Sequence, residues 1–159
     1  MTNVAINGLG RIGRATLKIV METPDLNLVA ANDIGASDSI EYLLKYDTVY
    51  GRYEKPVEAT DGHLRIGDHR LRLLRERDPA QLPWKAMNVD VVFECTGAFT
   101  RREDLDAHIR AGAVYVILHG TVKIHIEQGE RDDIISILGA GDLLGEMSRI
   151  DSVGRSASA

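Results

Sequence analysis

The chain has 159 residues, 44% of them hydrophobic, and a formal net charge of −5 from interspersed acids and bases. That length and apolar content suit one ordinary domain, or one domain with an appended piece, and the charge gives no electrostatic case for nucleic acid or an anionic membrane surface. No run approaches the roughly 18 apolar residues of a membrane-spanning helix, the N-terminus lacks a signal-peptide pattern, and the single cysteine, Cys95, excludes an internal disulfide; a cytoplasmic protein without membrane or nucleic-acid partners is expected.

The first apolar run, Val4-Ala5-Ile6, reads as a strand and is followed directly by Gly8-x-Gly10-x-x-Gly13 and a helical segment over Arg14–Met21. Strand, glycine turn and helix in that order form a dinucleotide-binding fingerprint. The first glycine permits the tight turn, the second lets backbone approach a pyrophosphate, and the third lets helix pack on strand. Free N–H groups and the helix dipole at residues 10–13 then favour a phosphate. Within residues 11–22, Ile12, Ala15, Ile19 and Met21 are expected on the buried side of the helix, which Pro24-Asp25 breaks.

The second strand, Leu26–Ala31, is apolar on both parities except at Asn27, as a parallel strand covered on both faces should be. Asp33 closes it, about twenty residues beyond the last glycine. A carboxylate there accepts both hydroxyls of an adenine ribose and repels a 2′-phosphate, so the cofactor expected is NAD rather than NADP. After the loop Ile34–Ser37, the spacing Asp38-x-x-Glu41 predicts a capping box opening a helix to about Tyr46, with Leu43 and Leu44 buried.

Val57–Thr60, Asp61-Gly62 and His63–Ile66 predict a hairpin with a type I′ turn. A second turn, Gly67-Asp68, leads to Arg70–Leu74, and the excursion reads as a small antiparallel insertion. The run Arg70, Arg72, Arg75 and Arg77 reads as an exposed edge. Glu76–Pro79 and Leu82–Trp84 form a return loop to a buried strand, Val89–Phe93, whose C-terminal end carries Glu94-Cys95-Thr96-Gly97. Ligands of open α/β sheets lie at that edge. Thr100-x-x-Glu103 predicts another capping box and a helix to about Ala111 with Leu105 and Ile109 inward.

Val114–Leu118 is apolar on both faces and follows that helix with a short connection, so it is expected to be the next parallel strand. Beyond it, Val122, Ile124 and Ile126 alternate with Lys123, His125 and Glu127, a strand with one face in water. Gly129-Glu130 is a turn, Ile134–Leu138 another strand, and Gly139–Asp142 a tight turn. The fold class expected is α/β: a Rossmann-like parallel sheet over residues 1–118, then antiparallel strands of a partial β-roll over 119–159. The histidines His63, His69, His108, His119 and His125 have no metal-ligand spacing, and no metal site is expected.

Taken together, VAINGLGRIGR at Val4–Arg14, Asn32-Asp33, Tyr42–Asp47 with Gly51, Glu76–Pro79 with Pro83-Trp84, and FECTGAFT at Phe93–Thr100 closely resemble the NAD-binding part of glyceraldehyde-3-phosphate dehydrogenase. The resemblance covers nearly all of residues 1–113. It implies that Gly8, Gly10 and Gly13 shape the phosphate loop and that Arg11 and Ile12 offer backbone N–H groups to the pyrophosphate. By the same resemblance Asp33 holds the adenine ribose, Arg77 lies beside the adenine, and Thr96 and Gly97 border the nicotinamide ribose. It also suggests a homotetramer. The resemblance stops at Val114–Leu118, where that family's strand ends in Ser-Ala-Pro and His119-Gly120 stands here. No counterpart of the family's nucleophilic cysteine or histidine base occurs in these residues. Cys95 reads as a small buried thiol, so no catalytic residue is assigned and a chain without turnover is expected.

Residues 114–159 resemble a different family, the cyclic-nucleotide-binding β-roll of the catabolite-activator type. The matching pieces are Val116–Leu118 with Gly120, Val122 and Ile124, then Gly141–Glu146, then Arg155-Ser156-Ala157. This resemblance implies that Glu146 accepts a ribose 2′-hydroxyl, that Arg155 pairs with a cyclic phosphate, and that Gly145, Ser156 and Ala157 add close contacts. The roll lacks its opening strands and closing elements, so a partner chain or self-association would be needed to complete a pocket. Three functions stay open on these residues: an NAD-binding domain, a cyclic-nucleotide sensor, and a recombined or truncated chain without selected activity.

Overall fold

The computed structural model describes residues 1–47, 51–60, 62–99, 101–117, 122–128 and 131–138. Two compact units separate, Met1–Leu118 and His119–Ala159. The first contains β1 (Thr2–Asn7), α1 (Arg11–Val20), β2 (Leu26–Asn32), α2 (Ser37–Lys45), the two-residue strands β3 (Tyr46–Asp47) and β4 (Gly51–Arg52), β5 (Val57–Thr60), β6 (His63–Ile66), β7 (His69–Leu74), a 3₁₀ turn at Pro79–Gln81, β8 (Val91–Glu94), α3 (Arg102–Arg110) and β9 (Tyr115–Ile117). The second contributes β10 (Val122–Gln128) and β11 (Arg131–Leu138), which pair antiparallel with a register shift between Ile124 and His125.

The main sheet has seven strands in the order β5-β6-β7-β2-β1-β8-β9. Pairs β7–β2, β2–β1, β1–β8 and β8–β9 are parallel, and β5–β6 and β6–β7 are antiparallel. Side chains that alternate along a strand serve opposite faces. Val4 and Ile6 accordingly join a core with Leu17 and Val20 of α1 and Ile40 and Leu44 of α2, whereas Ala5 joins Leu82, Trp84, Val89, Val92 and Ala113 on the other face. A bulge shifts the register from Val4↔Leu28 to Ala5↔Ala30, leaving Val29 as the extra residue. That extra residue is why Leu28 and Ala31, three apart, share one face.

Several local expectations are corrected by this packing. In α1 the buried residues are Gly13, Leu17 and Val20, and Ile12 is 67% exposed. Gly13 must lie against the turn after β1, so the inward face runs through positions 13, 17 and 20 and turns Ile12 outward. In α2 the helix starts at Ser37 with Ala36 as N-cap and no side-chain cap. Glu41 does not reach back to form a capping box; its carboxylate accepts the Ala59 N–H at 2.8 Å and pairs with Lys45, tying α2 to β5. Its buried residues are Ile40 and Leu44, one turn apart, and Leu43 is 41% exposed.

The antiparallel insertion is present as expected, over β5–β7. It extends the same sheet, because β7 pairs parallel with β2 while β6 pairs antiparallel with β7. Arg70 and Arg72 are therefore exposed on a face of an interior strand, not on an edge, and alternate with the buried Leu71 and Leu73. In α3 the inward residues are Ala107 and His108, and Ile109 is exposed. The Arg101 N–H donates to Asp104 at 3.4 Å. Asp61, Thr100, Leu118–Thr121, the turns expected at Gly129-Glu130 and Gly139–Asp142, and all residues from 139 onward lie outside the described residues.

Candidate functional site: a crevice between two strand ends

From β1 the chain crosses to β2 on one side and later returns to β8 on the other. The strand order therefore reverses at β1, beside β8, the position at which open α/β sheets bind ligands. Three glycines occupy three distinct environments. Gly8 has φ +92°, and a Cβ on it would lie 2.8 Å from the Thr96 amide nitrogen, so glycine is what lets the two loops touch. A Cβ on Gly13 would lie 1.8 Å from the Gly8 carbonyl oxygen, so glycine lets α1 approach the turn. Gly10 has φ −65° and nothing within 4 Å of its would-be Cβ. Nothing in the fold requires glycine there; the missing side chain leaves open space beside the helix start.

That helix start fits an anion. The first intrahelical bond runs from the Arg14 N–H to the Gly10 carbonyl at 3.0 Å, which leaves the N–H groups of Arg11, Ile12 and Gly13 without intrahelical acceptors. No side chain caps α1 and no acid stands in its first turn. The Arg14 guanidinium donates to the Leu9 carbonyl at 2.9 Å, bracing the loop from behind. Asp33, at the end of β2, braces it from the other side: Oδ2 accepts the Leu9 N–H at 2.6 Å and Oδ1 the Gly35 N–H at 2.7 Å. A carboxylate has about four acceptor positions, so Asp33 shapes the loop and keeps acceptor capacity for a ribose.

On the other side of the crevice lies a buried polar chain that the sequence did not reveal. Asn32 donates to Asn7 Oδ1 at 2.7 Å, and Asn7 donates through Nδ2 to Glu94 Oε2 at 2.6 Å. His108 Nε2 lies 3.0 Å from the same oxygen, and the Trp84 indole donates to His108 Nδ1 at 2.9 Å. Glu94 Oε1 accepts the Thr96 N–H at 2.8 Å and also the Thr96 hydroxyl. Burial alone would raise the Glu94 pKa, but hydrogen bonds from His108, Thr96, Asn7 and the Thr96 backbone outweigh it and hold the carboxyl below its ordinary value. One sequence signal was available: an acid ending an otherwise apolar strand at the ligand edge needs buried partners.

Gly8, Gly10, Arg11, Ile12, Gly13, Asp33, Thr96 and Gly97 thus meet around one loop, through the Gly8–Thr96 approach and the Asp33–Leu9 bond. Thr96 and Gly97 are exposed, with Gly97 at φ +71°. Arg77 is exposed one residue beyond Glu76, whose N–H and carbonyl are both held by the Asn32 amide at 2.8 Å. Cys95 packs against the core, and its thiol is pushed up to about 11 by burial, a Thr16 hydrogen bond opposing and the Glu94 charge adding to the shift. Gly145, Glu146, Arg155, Ser156 and Ala157 lie outside the described residues.

Comparison with known proteins gives two family matches on separate parts of the chain. Residues 2–102 match the glyceraldehyde 3-phosphate dehydrogenase NAD-binding domain, and residues 108–159 match the cyclic nucleotide-binding domain. A glyceraldehyde-3-phosphate dehydrogenase 2 of Staphylococcus aureus (strain MRSA252) is 41% identical over 140 residues, 86% of this chain and 41% of that protein. The glyceraldehyde-3-phosphate dehydrogenase of Clostridium pasteurianum is 43% identical over 118 residues, 74% of this chain and 35% of its own. The chain thus spans about two-fifths or less of these relatives. No helix among the described residues is long and apolar enough to cross a membrane. The chain belongs to the glyceraldehyde-3-phosphate dehydrogenase NAD-binding domain family through its N-terminal part.

Proposed function

We propose that this member of the dehydrogenase NAD-binding family binds NAD in the crevice between β1 and β8, and that residues 1–118 are its functional NAD-binding part. The carrying observation is Gly10: its conformation and surroundings give the fold no need of glycine, so the open space suits a ligand approaching the uncapped start of α1. In this reading Arg11, Ile12 and Gly13 present N–H groups to the pyrophosphate, and the dipole of α1 adds to their attraction. Asp33 accepts from the adenine-ribose hydroxyls and disfavours a 2′-phosphate. Arg77 stands over the adenine side, and Thr96 and Gly97 border the nicotinamide ribose.

Bound NAD would supply a hydride-accepting ring, but these residues supply no partner for acyl transfer. The half-buried Cys95 thiol packs against the core and is held in its protonated form, the opposite of an activated nucleophile. The chain is read as a binding protein without turnover of its own, in a reducing, cytoplasmic setting that suits its single thiol. Self-association or a partner chain belongs to the same reading.

Calorimetric titration of the full chain with NAD and with NADP tests this. Saturable binding of NAD, tighter than NADP, with that preference erased in Asp33→Ala, is expected. No heat from a folded chain overturns the reading. The match of residues 108–159 supports a second function, cyclic-nucleotide binding through Glu146 and Arg155. Titration with cyclic AMP and cyclic GMP, with Arg155→Ala as control, tests it independently of the first.

A further inference from the structure

We infer that Glu94 is a positioning residue for the crevice: it presets the Thr96 hydroxyl as an acceptor, so that the ligand group taken at Thr96 is a hydroxyl donor such as a ribose. The inference rests on the NAD reading and extends it to a residue that touches no ligand itself.

The polarity of each bond follows from donor chemistry. An indole N–H can only donate, so His108 Nδ1 accepts from Trp84 and Nε2 carries the proton that points at Glu94. The Asn7 amide is oriented the same way, because its Oδ1 is occupied by the Asn32 donor and its Nδ2 is left facing Glu94. Glu94 therefore receives donors on both oxygens: Asn7 and His108 on Oε2, the Thr96 N–H and hydroxyl on Oε1. Only an ionised carboxylate accepts at all of these positions. A glutamine would place two protons where donors already point.

With its single proton committed to Glu94, the Thr96 oxygen can only accept from other groups. It does so from the Ala98 N–H at 3.1 Å, which also fixes the turn through Gly97. Glu94 is buried, at 3% exposure, whereas Thr96 is exposed at the crevice. The buried chain from Trp84 through His108 and Glu94 thus ends in one outward-facing acceptor. A ribose hydroxyl donates to such a group; a phosphate or carboxylate oxygen is repelled by it.

The test compares NAD with ADP, which shares the adenine ribose and pyrophosphate but lacks the nicotinamide ribose. In the full chain, Glu94→Gln is expected to weaken NAD about tenfold, as loss of a charge-assisted hydrogen-bond array does, while ADP affinity stays unchanged. NAD and ADP weakening together would make Glu94 merely structural, and no change in either would remove its role; both results overturn the inference. If Glu94→Gln does not fold, Trp84→Phe removes the indole donor that fixes the His108 tautomer and some core volume; in the folded variant a smaller selective loss of NAD against ADP is expected, its absence overturning the inference. An unsubstituted folded chain that binds neither nucleotide overturns the NAD reading first, and the positioning role with it.

Discussion

Two glycines three residues apart are predicted to fail in opposite ways. In Gly13→Ala the new methyl would stand 1.8 Å from the Gly8 carbonyl oxygen and 2.9 Å from its carbonyl carbon. Both are backbone atoms of a turn anchored by Gly8 N–H to Asn32 at 2.7 Å, so α1 or the turn must move by more than an ångström. Overpacking of this kind costs about 3 kcal/mol, and alanine's better helix propensity returns about 1 kcal/mol. The net loss, about 2 kcal/mol, lowers the unfolding temperature by roughly 8 °C for a unit of this size. In Gly10→Ala the methyl meets nothing within 4 Å and φ is −65°, so the unfolding temperature should stay within a degree or two. The same methyl fills the space beside the helix start and holds a pyrophosphate off its N–H groups. Losing charge-assisted hydrogen bonds worth about 1.5–3 kcal/mol weakens NAD roughly 10- to 100-fold. Thermal unfolding followed by circular dichroism, with NAD titration of each folded variant, reads both effects. A Gly10→Ala chain that binds NAD as well as the unsubstituted one refutes the assignment of that space to a ligand.

The other predictions concern the core and two buried titratable groups. Leu44→Ala should cost about 3 kcal/mol, because Leu44 is fully buried in the core cluster between α2 and the sheet, whereas its neighbour Leu43→Ala should cost about 0.5 kcal/mol or less; urea midpoints at a common slope check the contrast. Cys95, raised from 9.0 to about 11, should react with iodoacetamide about 100-fold more slowly in the folded chain than in urea at the same pH, the thiolate fraction falling tenfold per unit. Glu94 has a folded pKa below its unfolded value near 4.5, so its stabilisation is complete above that value and is lost as pH falls through the folded one. Acid unfolding of Glu94→Gln should lack that part of the pH dependence, and an unchanged acid limb would contradict the buried carboxylate.

Sequence and structure agree best where local chemistry is strong and diverge where a tertiary contact chooses between faces. The glycine spacing, the strand ahead of it and the acid after β2 are each dictated by short-range geometry, and they are found in one loop cluster. Helix faces were less legible. Apolar residues occur on both sides of α1, and the choice is made by Gly13, which has no side chain for a hydrophobicity pattern to register. In α2 the pair Leu43-Leu44 leaves the rotation of the helix open, and Glu41's bond to Ala59 settles it across a distance no local rule spans. The Asn7–Glu94–His108–Trp84 chain was illegible for the same reason. Its members come from β1, β8, α3 and the loop before β8, and polar residues scattered in sequence look solvated until the fold buries them together.

The composition of that chain bears on why the crevice tolerates unfamiliar sequence beyond it. Among the described residues, the groups that shape the glycine loop and the Thr96 turn come from residues 7–98, with His108 added from α3. Strand β9 lies on the far side of β8 from β1, pairing Val91 with Tyr115 and Phe93 with Ile117, one strand removed from the switch point. Its backbone satisfies the outer edge of β8, a task that any extended apolar segment performs, because ladder hydrogen bonds do not read side-chain identity. Family resemblance can therefore change at the level of β9 without disturbing the hydrogen bonds that set the crevice. What it cannot change freely is α3, since removing His108 would leave the Trp84 indole and Glu94 each short of a buried partner. Within the proposed NAD-binding part, residues 1–118, the last side chain in sequence that joins the buried hydrogen bonds beside the crevice is His108, where α3 packs back onto Trp84.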